Sequence, residues 1–412
     1  MKKVLIFSLA YFPKHVGGAE VAIKEITERM PDIEFHMVTN RFDATLPKEE
    51  KIGNIIVHRI GIVTHNPSMA DLKKWPLNFN KPLYQFLAAW KAIRLHRKYH
   101  FDAMWAMMAH STGVPAAIFK MVHPEVGYVL NLQEGDPVDY IEAKMRPVWP
   151  LFTRAFTMAD IIQPLSTFLA KWARARNFSG PIEIIPNAVA AQHFMQAYSA
   201  EELSGARAKL GKTENDVFLV TTSRLVTKNA VDDVIQAIAL LPERVHFVIY
   251  GTGPDEDMLR TLAKEKKVEH RIHFEGQIGH TEMPLLLKAC DIFIRPSRSE
   301  GFGASFMEAM AAEMPVIATH EGGISDFLFD ERRNPDKPTT GWAVDKDSPK
   351  QIADAVRDIT ARPEKVREVV KNAKDMVLAK YDWDIIARDM KKKVFDHLFK
   401  IEHSVKGNTI SN

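Results

Sequence analysis

The sequence predicts an α/β protein made of two successive halves, each built on a parallel sheet. Short apolar runs alternate with longer amphipathic runs in the first half, and the same rhythm returns in the second half. Alternation of this kind is typical of a parallel sheet covered by helices. The 412 residues are enough for two full cores. We therefore expect two Rossmann-like domains, with the seam at residues 186–196.

The individual elements follow from local pattern. Short apolar runs indicate strands, and amphipathic runs with helical spacing indicate helices. In the first half this predicts strands at 4–9, 34–39, 55–60, 103–107 and 127–132, and a helix at 19–30. In the second half it predicts strands at 218–222, 245–250, 272–274, 291–297 and 316–318, with helices at 231–240, 258–266 and 284–289. Residues 330–340, rich in charge and proline, are predicted as a surface loop, and residues 384–400 as a final helix.

Composition restricts the function classes. The formal net charge is only +3, which gives no global case for nucleic-acid binding. The single cysteine, Cys290, lies in an apolar run, so we expect a buried thiol and no disulfide within the chain. The apolar N-terminus runs directly into Tyr11, Phe12 and Pro13 without a clear cleavage site, which argues against a signal peptide. No apolar stretch is long enough to span a bilayer as a helix, and we expect a cytoplasmic protein.

Two glutamates eight positions apart, Glu300 and Glu308, are the most informative residues of the chain. A buried strand is predicted before them, a glycine loop lies between them, and a good helix former follows. Gly301 and Gly303 let backbone N–H groups approach a ligand, and the helix start favours anionic groups. Carboxylates repel phosphate but accept hydrogen bonds from the hydroxyls of a sugar or a ribose. The stretch therefore predicts a nucleotide-sugar site; the alternative is a helix cap with one solvated glutamate.

The string SRSEGFG at 297–303, followed by EAMA at 308–311, resembles the E-x7-E signature of retaining GT-B glycosyltransferases, family 4 or group 1. The resemblance implies that Glu300 contacts the donor sugar and Glu308 the donor ribose. It implies a GT-B fold, with two Rossmann-like domains facing across a cleft. Residues 1–190 would form the acceptor-side domain, 191–380 the nucleotide-sugar domain, and the C-terminal helix 381–412 would pack back on the first domain. The implied donor-binding loop is Gly301, Phe302, Gly303, Ala304 and Ser305.

The string SRLVTKN at 223–229 follows the first strand of the second half and resembles the family's R-L-…-K motif. In that motif both cations hold the donor diphosphate. Arg and Lys at the carboxyl end of a strand can neutralise a departing diphosphate without a metal. We therefore expect Arg224 and Lys228 to be catalytic together with Glu300; a surface lysine is the alternative for Lys228.

Further turns carry weaker resemblances. Gly17 and Gly18 resemble the family's first-strand glycine loop, where small residues let the backbone approach the diphosphate; a tight turn is the alternative. Gln277 and Ile278 resemble the loop whose backbone meets the nucleobase. GTGP at 251–254 resembles a turn that we interpret as architectural. GGISD at 322–326 resembles the family's G-G-x-x-E turn, with Asp in place of Glu.

The first half departs from the family pattern. His110 matches a histidine commonly found after that strand, but the His-Asp pair expected at 133 is replaced by Gln133 and Glu134. Glutamine can donate and accept hydrogen bonds to sugar hydroxyls, but it cannot take a proton. We expect Gln133 to bind the donor, and His110 and Glu134 to lie on the acceptor side. The linker motif P-N-G-V-D is matched by PNAV, with Ala190 in place of Asp.

Aromatic residues interleave with basic ones in two stretches of the first half. Surfaces of this kind can bind to anionic membranes or to lipid-phosphate acceptors. Aromatic residues at helical spacing more often belong to a core, and we favour that interpretation. The hypothesis kept open is an acceptor-binding lobe at the inner membrane face. The aromatic residues are Trp75, Phe79, Tyr84, Phe86 and Trp90 in the first stretch, and Trp149, Phe152 and Phe156 in the second.

The residues and the resemblance together predict a retaining hexosyltransferase. It would move a hexose from a nucleoside-diphosphate sugar to a hydroxyl of a glycan, lipid-linked or small-molecule acceptor. No D-x-D pair is placed to carry a metal, so we expect neither a metal nor another cofactor. Expected partners are this donor and acceptor, with peripheral contact to an anionic membrane and no nucleic acid.

Three alternatives remain. Gln133 and Ala190 suggest a non-catalytic scaffold subunit that binds a nucleotide-sugar. A GT-B epimerase or phosphorylase would share the same motifs. A dinucleotide oxidoreductase is less expected, because no full G-x-G-x-x-G opens a strand–helix unit.

Overall fold

The computed structural model describes residues 1–68 and 70–400, and the chain divides into two compact units. The first unit comprises Met1–Asn187 and the described chain from Trp383 onwards, and the second comprises Ala188–Asp382. Each unit is an α/β domain with its own sheet. The chain therefore leaves the first unit after residue 187 and returns to it for the last helices.

The sheet of the first unit is parallel apart from one edge. In its described residues the strand order is β3-β4-β2-β1-β5-β6-β7, and only β3 and β4 pair antiparallel. The strands predicted at 55–60, 103–107 and 127–132 are confirmed with the same bounds. The strands are β1 (Lys2–Phe7), β2 (Ile33–Asn40), β3 (Glu49–Ile52), β4 (Ile55–Ile60), β5 (Ala103–Met107), β6 (Gly127–Leu132) and β7 (Ile161–Pro164).

Helices cover this sheet, whose central strands β1, β5 and β6 are almost fully buried, as is usual for parallel strands between helical layers. Helix α2 packs against α3, and α3 packs against α5. The predicted helix at 19–30 is confirmed as α1. The helices are α1 (Gly18–Glu28), α2 (Asn80–Tyr99), α3 (Val114–Val122), α4 (Val138–Met145), α5 (Trp149–Thr157) and α6 (Thr167–Ala175).

The second unit has an all-parallel sheet in the order β10-β9-β8-β11-β12-β13. Each strand predicted in this half is present. The strands are β8 (Val217–Thr222), β9 (Val245–Tyr250), β10 (Ile272–Gly276), β11 (Ile292–Arg295), β12 (Val316–Thr319) and β13 (Trp342–Val344). The helices are α7 (Ala191–Met195), α8 (Ala200–Lys209), α9 (Val231–Ile238), α10 (Glu256–Glu265), α11 (Met283–Ala289), α12 (Ala304–Ala311), α13 (Pro349–Ala361) and α14 (Pro363–Lys380). Cys290 is buried as expected, which raises the pKa of its thiol to about 12.

The described C-terminal segment, residues 383–400, belongs to the first unit, and residues 401–412 of the predicted C-terminal helix lie outside the described residues. The described segment forms α15 (Trp383–Asp389), a π-helical segment (Met390–Phe395) and α16 (Asp396–Leu398). Phe395 contacts Phe35 of β2 and Trp105 of β5, with ring centroids 6.1 Å and 5.6 Å apart. Lys391 pairs with Asp32 at 2.7 Å. Aromatic burial and a surface ion pair thus hold the returning helix on the first unit.

The core interpretation of the first aromatic stretch is wrong for most of its members. Trp75, Phe79, Phe86 and Trp90 are 80%, 48%, 53% and 56% exposed, and only Tyr84 is buried. For Phe86 and Trp90 the reason is the orientation of α2, whose buried side consists mainly of small residues and whose aromatic face points outward. In the second stretch Phe152 and Phe156 are buried, and the core interpretation of these two residues is confirmed.

An aspartate directly before a strand ties that strand to a neighbour at three places. Asp102, Asp160 and Asp291 each accept the backbone N–H of a residue on the adjacent strand, at 2.7–2.8 Å. A lysine pairs with each carboxylate: Lys2, Lys120 and Lys212, at 2.6–2.8 Å. The pairs differ in burial, because the Lys120 side chain is 7% exposed and that of Lys2 is 50% exposed.

We expect Asp160→Asn to lower the free energy of unfolding by about 2–4 kcal/mol, because it leaves the buried Lys120 ammonium without its counter-charge. The amide oxygen can still accept the hydrogen bond from the Tyr128 N–H, so the variant removes only the negative charge of residue 160. The matched control is Asp102→Asn beside the exposed Lys2, for which we expect a loss below about 1 kcal/mol. Urea denaturation of both variants measures the difference, and equal losses would contradict this account of the pair.

Candidate active site

The predicted second-unit residues lie at the carboxyl ends of two neighbouring strands, β8 and β11. These strands pair in parallel, and the strand order reverses between them, since β9 and β10 lie on one side and β12 and β13 on the other. Open parallel sheets bind ligands at such switch points. Arg224 and Lys228 follow β8, while Glu300 follows β11 and Glu308 lies on α12. The fold therefore brings the four predicted residues to one edge of the sheet.

Glu300 is held by the loop and by an arginine that sequence reasoning did not assign. Its Oε1 accepts the backbone N–H of Gly301 at 3.0 Å, and its Oε2 forms an ion pair with Arg295, the last residue of β11. Arg295 also donates to Ser297 Oγ at 3.1 Å and Ser305 Oγ at 2.7 Å. The Glu300 carboxylate is thus fixed in place, and its remaining lone pairs can accept hydrogen bonds from a ligand.

Glu308 lies on the second turn of α12 and is largely buried. Burial raises the pKa of its carboxyl to about 7, and the nearby positive charge of Arg295 opposes this shift. Burial also lowers the pKa of Arg295 to about 10, while Glu308 opposes that change. The Arg295 guanidinium is therefore the counter-charge of both predicted carboxylates, Glu300 and Glu308.

Arg298 joins the loop after β11 to the loop after β8. Its backbone N–H donates to the Lys228 carbonyl at 2.7 Å, and its guanidinium donates to the Thr227 carbonyl at 2.6 Å. The same guanidinium donates to both carboxylate oxygens of Asp232, at 2.8 Å each. Asp233, buried behind this contact, has its pKa raised to about 6 by burial. Arg298 thus sets the position of the Lys228 segment relative to Glu300.

Glycines allow the backbone of these loops to pack closely. A Cβ at Gly251 would overlap the Ser223 carbonyl, and one at Gly322 would overlap the Glu300 carbonyl. Gly323 also donates its N–H to the Glu300 carbonyl at 2.9 Å. The GTGP and GGISD turns are therefore architectural: they support the loops that carry Arg224 and Glu300. Gln277 and Ile278 follow β10, two strands away from β8 in the sheet.

In the first unit, His110, Gln133 and Glu134 follow the neighbouring strands β5 and β6. His110 Nδ1 and its backbone N–H both lie 3.4 Å from Glu134 Oε1, and its Nε2 lies 3.0 Å from Ser111 Oγ. Glu134 is 2% exposed, and its Oε2 has no hydrogen-bond partner within the described residues. Gln133 Oε1 accepts a hydrogen bond from Asn187 at 3.2 Å. The buried carboxylate can therefore orient and polarise the His110 ring.

Gly17 and Gly18 lie at the start of α1, as predicted, but Glu20 occupies part of that helix end. Its carboxylate accepts the Gly17 N–H at 2.9 Å, and burial raises its pKa. A Cβ at Gly18 would meet nothing within 4 Å, so packing within the chain does not require a glycine there. A phosphate at this helix end would have to displace the Glu20 carboxylate.

A three-residue cluster with metal-binding geometry occurs elsewhere in the first unit, within the described chain: His96, His123 and Glu125. Glu125 Oε1 lies 3.0 Å from His123 Nδ1 and 3.6 Å from His96 Nε2. However, His96 Nδ1 accepts the Phe101 N–H at 3.1 Å, which leaves the ring proton on Nε2, facing the carboxylate. The cluster therefore fits a hydrogen-bonded group better than a metal site.

The second unit also has a cavity of about 380 Å³ that contains none of the predicted residues. It is lined by Asp330, Arg333, Trp342, Asp358 and Arg362, among others. Several of these groups form hydrogen bonds or ion pairs with one another: the Trp342 indole donates to Asp358 at 2.7 Å, and Arg362 pairs with Asp358. The cavity offers a second place where a ligand could be sought.

The residues missed from sequence are mainly charged groups that act through the predicted ones. Arg295 and Arg298 fix Glu300 and the Lys228 segment, and Glu20 occupies the α1 start. The sequence did indicate a role for Arg295, because an arginine at the end of an apolar strand is seldom buried unless it is paired with an acidic residue. The contact partners of Arg298 are distant in sequence and gave no such signal.

Comparison with known proteins gives a family match for the second unit. Residues 204–376, which include both loops, match the family model described as glycosyl transferases group 1. The chain is 30% identical over 236 residues to a GDP-mannose-dependent α-(1-6)-phosphatidylinositol monomannoside mannosyltransferase of Mycobacterium tuberculosis. That match covers 54% of this chain and 59% of the relative, so the chain spans about three fifths of the relative's length.

Two further comparisons extend over nearly the whole chain. An uncharacterised glycosyltransferase of Methanocaldococcus jannaschii is 29% identical over 406 residues, covering 94% of this chain and 96% of the relative. Sucrose-phosphate synthase from Thermosynechococcus elongatus superposes with a TM-score of 0.77 at 20% identity, covering 97% of this chain and 99% of that chain. The two parallel-sheet domains and this likeness show that the protein has a GT-B fold, which confirms the predicted fold class.

We expect Glu308→Gln to stabilise the protein, and to do so more at pH 8 than at pH 5. With a folded-state pKa of about 7 against an ordinary value of 4.5, the folded protein keeps a proton that the unfolded chain has lost within this window. The free energy of unfolding therefore falls as the pH rises, by on the order of 2 kcal/mol, and glutamine removes that loss. Thermal unfolding at both pH values measures the effect as a few degrees in Tm.

The control for this variant is Glu313→Gln, which changes an exposed glutamate just after α12. It should shift Tm little at either pH. A Glu308→Gln effect that is the same at pH 5 and pH 8 would show that burial does not raise the pKa of Glu308.

Proposed function

We propose that this protein is a group 1 glycosyltransferase that moves a hexose from a nucleoside-diphosphate sugar to an acceptor hydroxyl. The observation that carries the proposal is the pair of carboxylates, Glu300 and Glu308, arranged around Arg295 beside the loop of Arg224 and Lys228. The family match over residues 204–376 covers this arrangement. The similar mycobacterial protein is named as GDP-mannose-dependent, which supports a nucleotide-sugar donor.

In this proposal the leaving diphosphate lies between the loop after β8 and the start of α12. Arg224 is exposed at the end of β8, where its guanidinium can reach a ligand, and Lys228 is held nearby through Arg298. Backbone N–H groups at the start of α12 add partial positive charge. These groups stabilise negative charge that grows on the diphosphate as the glycosidic bond breaks.

The two carboxylates have separate roles in the donor complex. Glu300, held by Arg295 and by the Gly301 N–H, accepts hydrogen bonds from sugar hydroxyls. Glu308 accepts hydrogen bonds from the ribose. Because the pKa of Glu308 is about 7, its ionised form, the stronger acceptor, becomes more populated as the pH rises through neutrality.

Retention of anomeric configuration and independence of metal ions are parts of the same proposal. Two cations on the loop after β8 can supply the charge stabilisation that other transferases obtain from a metal. Retention rests on the resemblance of the E-x7-E segment to retaining enzymes.

The acceptor side is proposed to lie in the first unit, at His110 and Glu134. The buried Glu134 carboxylate beside His110 can orient the ring toward an acceptor hydroxyl. A lipid-linked acceptor is supported by the mycobacterial relative, whose name gives a phosphatidylinositol mannoside as its acceptor. The protein would then work at the inner face of the membrane; none of the described helices is both long and apolar enough to cross it.

The experiment that tests the proposal is a thermal-shift panel of UDP-, GDP- and ADP-sugars. We expect one nucleotide series to raise Tm by several degrees, because a ligand at about 100 times its Kd stabilises the folded state by about 2.7 kcal/mol. Glu308→Ala should remove most of that shift, because the ribose loses its acceptor. Glu313→Ala, on the exposed surface, should keep it. No shift with any nucleotide would contradict the site.

Turnover is measured next with the donor that binds, a lipid-glycan acceptor and EDTA. We expect transfer in EDTA and a product with the anomeric configuration of the donor, read by NMR. Donor binding without transfer would favour the non-catalytic scaffold. Loss of transfer in EDTA, restored by a divalent ion, would contradict metal independence.

A further inference from the structure

Helix α2 has an apolar face that the described first unit leaves about half exposed. Its buried side consists of Tyr84, Ala88, Ala89, Ala92 and Leu95 with Asn80. On the opposite side, large apolar residues recur at i, i+4, i+7, i+8 and i+11, which places them on one helical face. This face, called here the α2 apolar face, consists of Phe79, Leu83, Phe86, Leu87 and Trp90, which are 38–56% exposed.

The surroundings of the α2 apolar face are strongly basic. Residues 72–101 contain seven Lys or Arg and no Asp or Glu, although the whole chain has a net charge of only +3. Arg94 and Arg97 continue the same face toward the end of the helix, and the Arg94 guanidinium lies 4.7 Å from the Trp90 ring centroid. The neighbouring acid, Asp71, pairs with Lys74 at 2.9 Å. Trp75, 80% exposed, lies just before the helix.

A cavity of about 280 Å³ adjoins the α2 apolar face. Lys81, Pro82 and Phe86 of α2 form part of its wall, and Lys144, Met145 and Val148 form another part. His110, the proposed acceptor-side residue, also lines it. The cavity therefore combines apolar walls with two lysines and a histidine, which suits a ligand that is anionic at one end and apolar at the other.

We propose that the α2 apolar face seats on an anionic lipid bilayer, so that the adjoining cavity receives the head group of an anionic lipid acceptor. The acceptor part rests on the proposed function; the docking part does not. Tryptophan and phenylalanine side chains enter the interface between head groups and acyl chains, and Lys and Arg are attracted to the anionic surface. Both contributions are present on this one helix.

The positive charge around the α2 apolar face favours an anionic bilayer over a second copy of the chain as the partner of this face. A symmetric dimer through this face would bring the same basic patch of both copies together, because a twofold interface is self-complementary. Seven like-charged side chains from each copy would then repel one another. An anionic bilayer instead covers the apolar residues and neutralises the cations around them.

The test is flotation of the full-length protein with vesicles of phosphatidylcholine alone or with phosphatidylglycerol added. We expect binding to the anionic vesicles at low salt and release at high salt, because screening weakens the attraction. Phe79→Ser combined with Trp90→Ser should lower the partition coefficient about tenfold, since two interfacial aromatic residues are lost. Arg94→Glu combined with Arg97→Glu should have a similar effect, and only on the anionic vesicles.

The matched control is Leu240→Ser combined with Met258→Ser, which removes two residues of the second unit that are 49% and 48% exposed. This control should float as the wild type does. Wild-type protein that fails to float with anionic vesicles, or an aromatic variant that floats unchanged, would overturn the proposal. A dimer in solution that the aromatic variant dissociates, without vesicle binding, would show that a second copy covers the face.

Nucleotide binding separates this proposal from the proposed function. The Phe79→Ser, Trp90→Ser variant should keep the nucleotide-induced thermal shift and lose transfer to a lipid in vesicles, because Phe79 and Trp90 belong only to the docking face. If the wild-type protein binds vesicles but no nucleotide, the result would support the docking surface and contradict the proposed donor site.

Discussion

The candidate site depends on the interaction of the buried Arg295 guanidinium with the carboxylates of Glu300 and Glu308. The carboxylates of Glu300, in the loop after β11, and of Glu308, on α12, lie near this guanidinium in a poorly solvated region, and burying them without a counter-charge would be strongly unfavourable. The opposite pKa shifts of Arg295 and Glu308 reflect this balance, since burial acts against the charged form of each and the partner's charge opposes it. Because Arg295 ends β11, the sheet itself places that charge.

The rest of the site follows from how loops pack at the sheet edge. Gly303 adopts φ +87, a backbone conformation that favours glycine, where the loop enters α12. Gly251 and Gly322 allow neighbouring turns to lie against the loops after β8 and β11. Arg298 then links those loops through the Lys228 carbonyl. The Glu300 carboxylate and the backbone of the Lys228 segment are thus held by hydrogen bonds and an ion pair that are formed within the chain itself.

Sequence reasoning succeeded where a pattern has one structural meaning. Apolar runs such as 245–250 gave strands with the observed bounds, and the order strand, glycine loop, helix placed Glu300 and Glu308 near one sheet edge. It failed where the outcome depends on what else packs nearby. Helical spacing showed that Phe79, Phe86 and Trp90 share a face, but not that the opposite face of α2 meets the sheet. Arg298 likewise depends on partners as distant as Asp347.

Hydrogen–deuterium exchange, with and without the nucleotide-sugar that binds, tests the position of the donor site most directly. We expect slower exchange in peptides covering 223–230, the loop after β8, and 296–312, the loop after β11 together with α12. Peptides around the other second-unit cavity, lined by Asp330, Arg333 and Trp342, should be unchanged. Protection confined to that cavity, with none in the two loops, would contradict the assignment of the donor site to Arg224, Glu300 and Glu308.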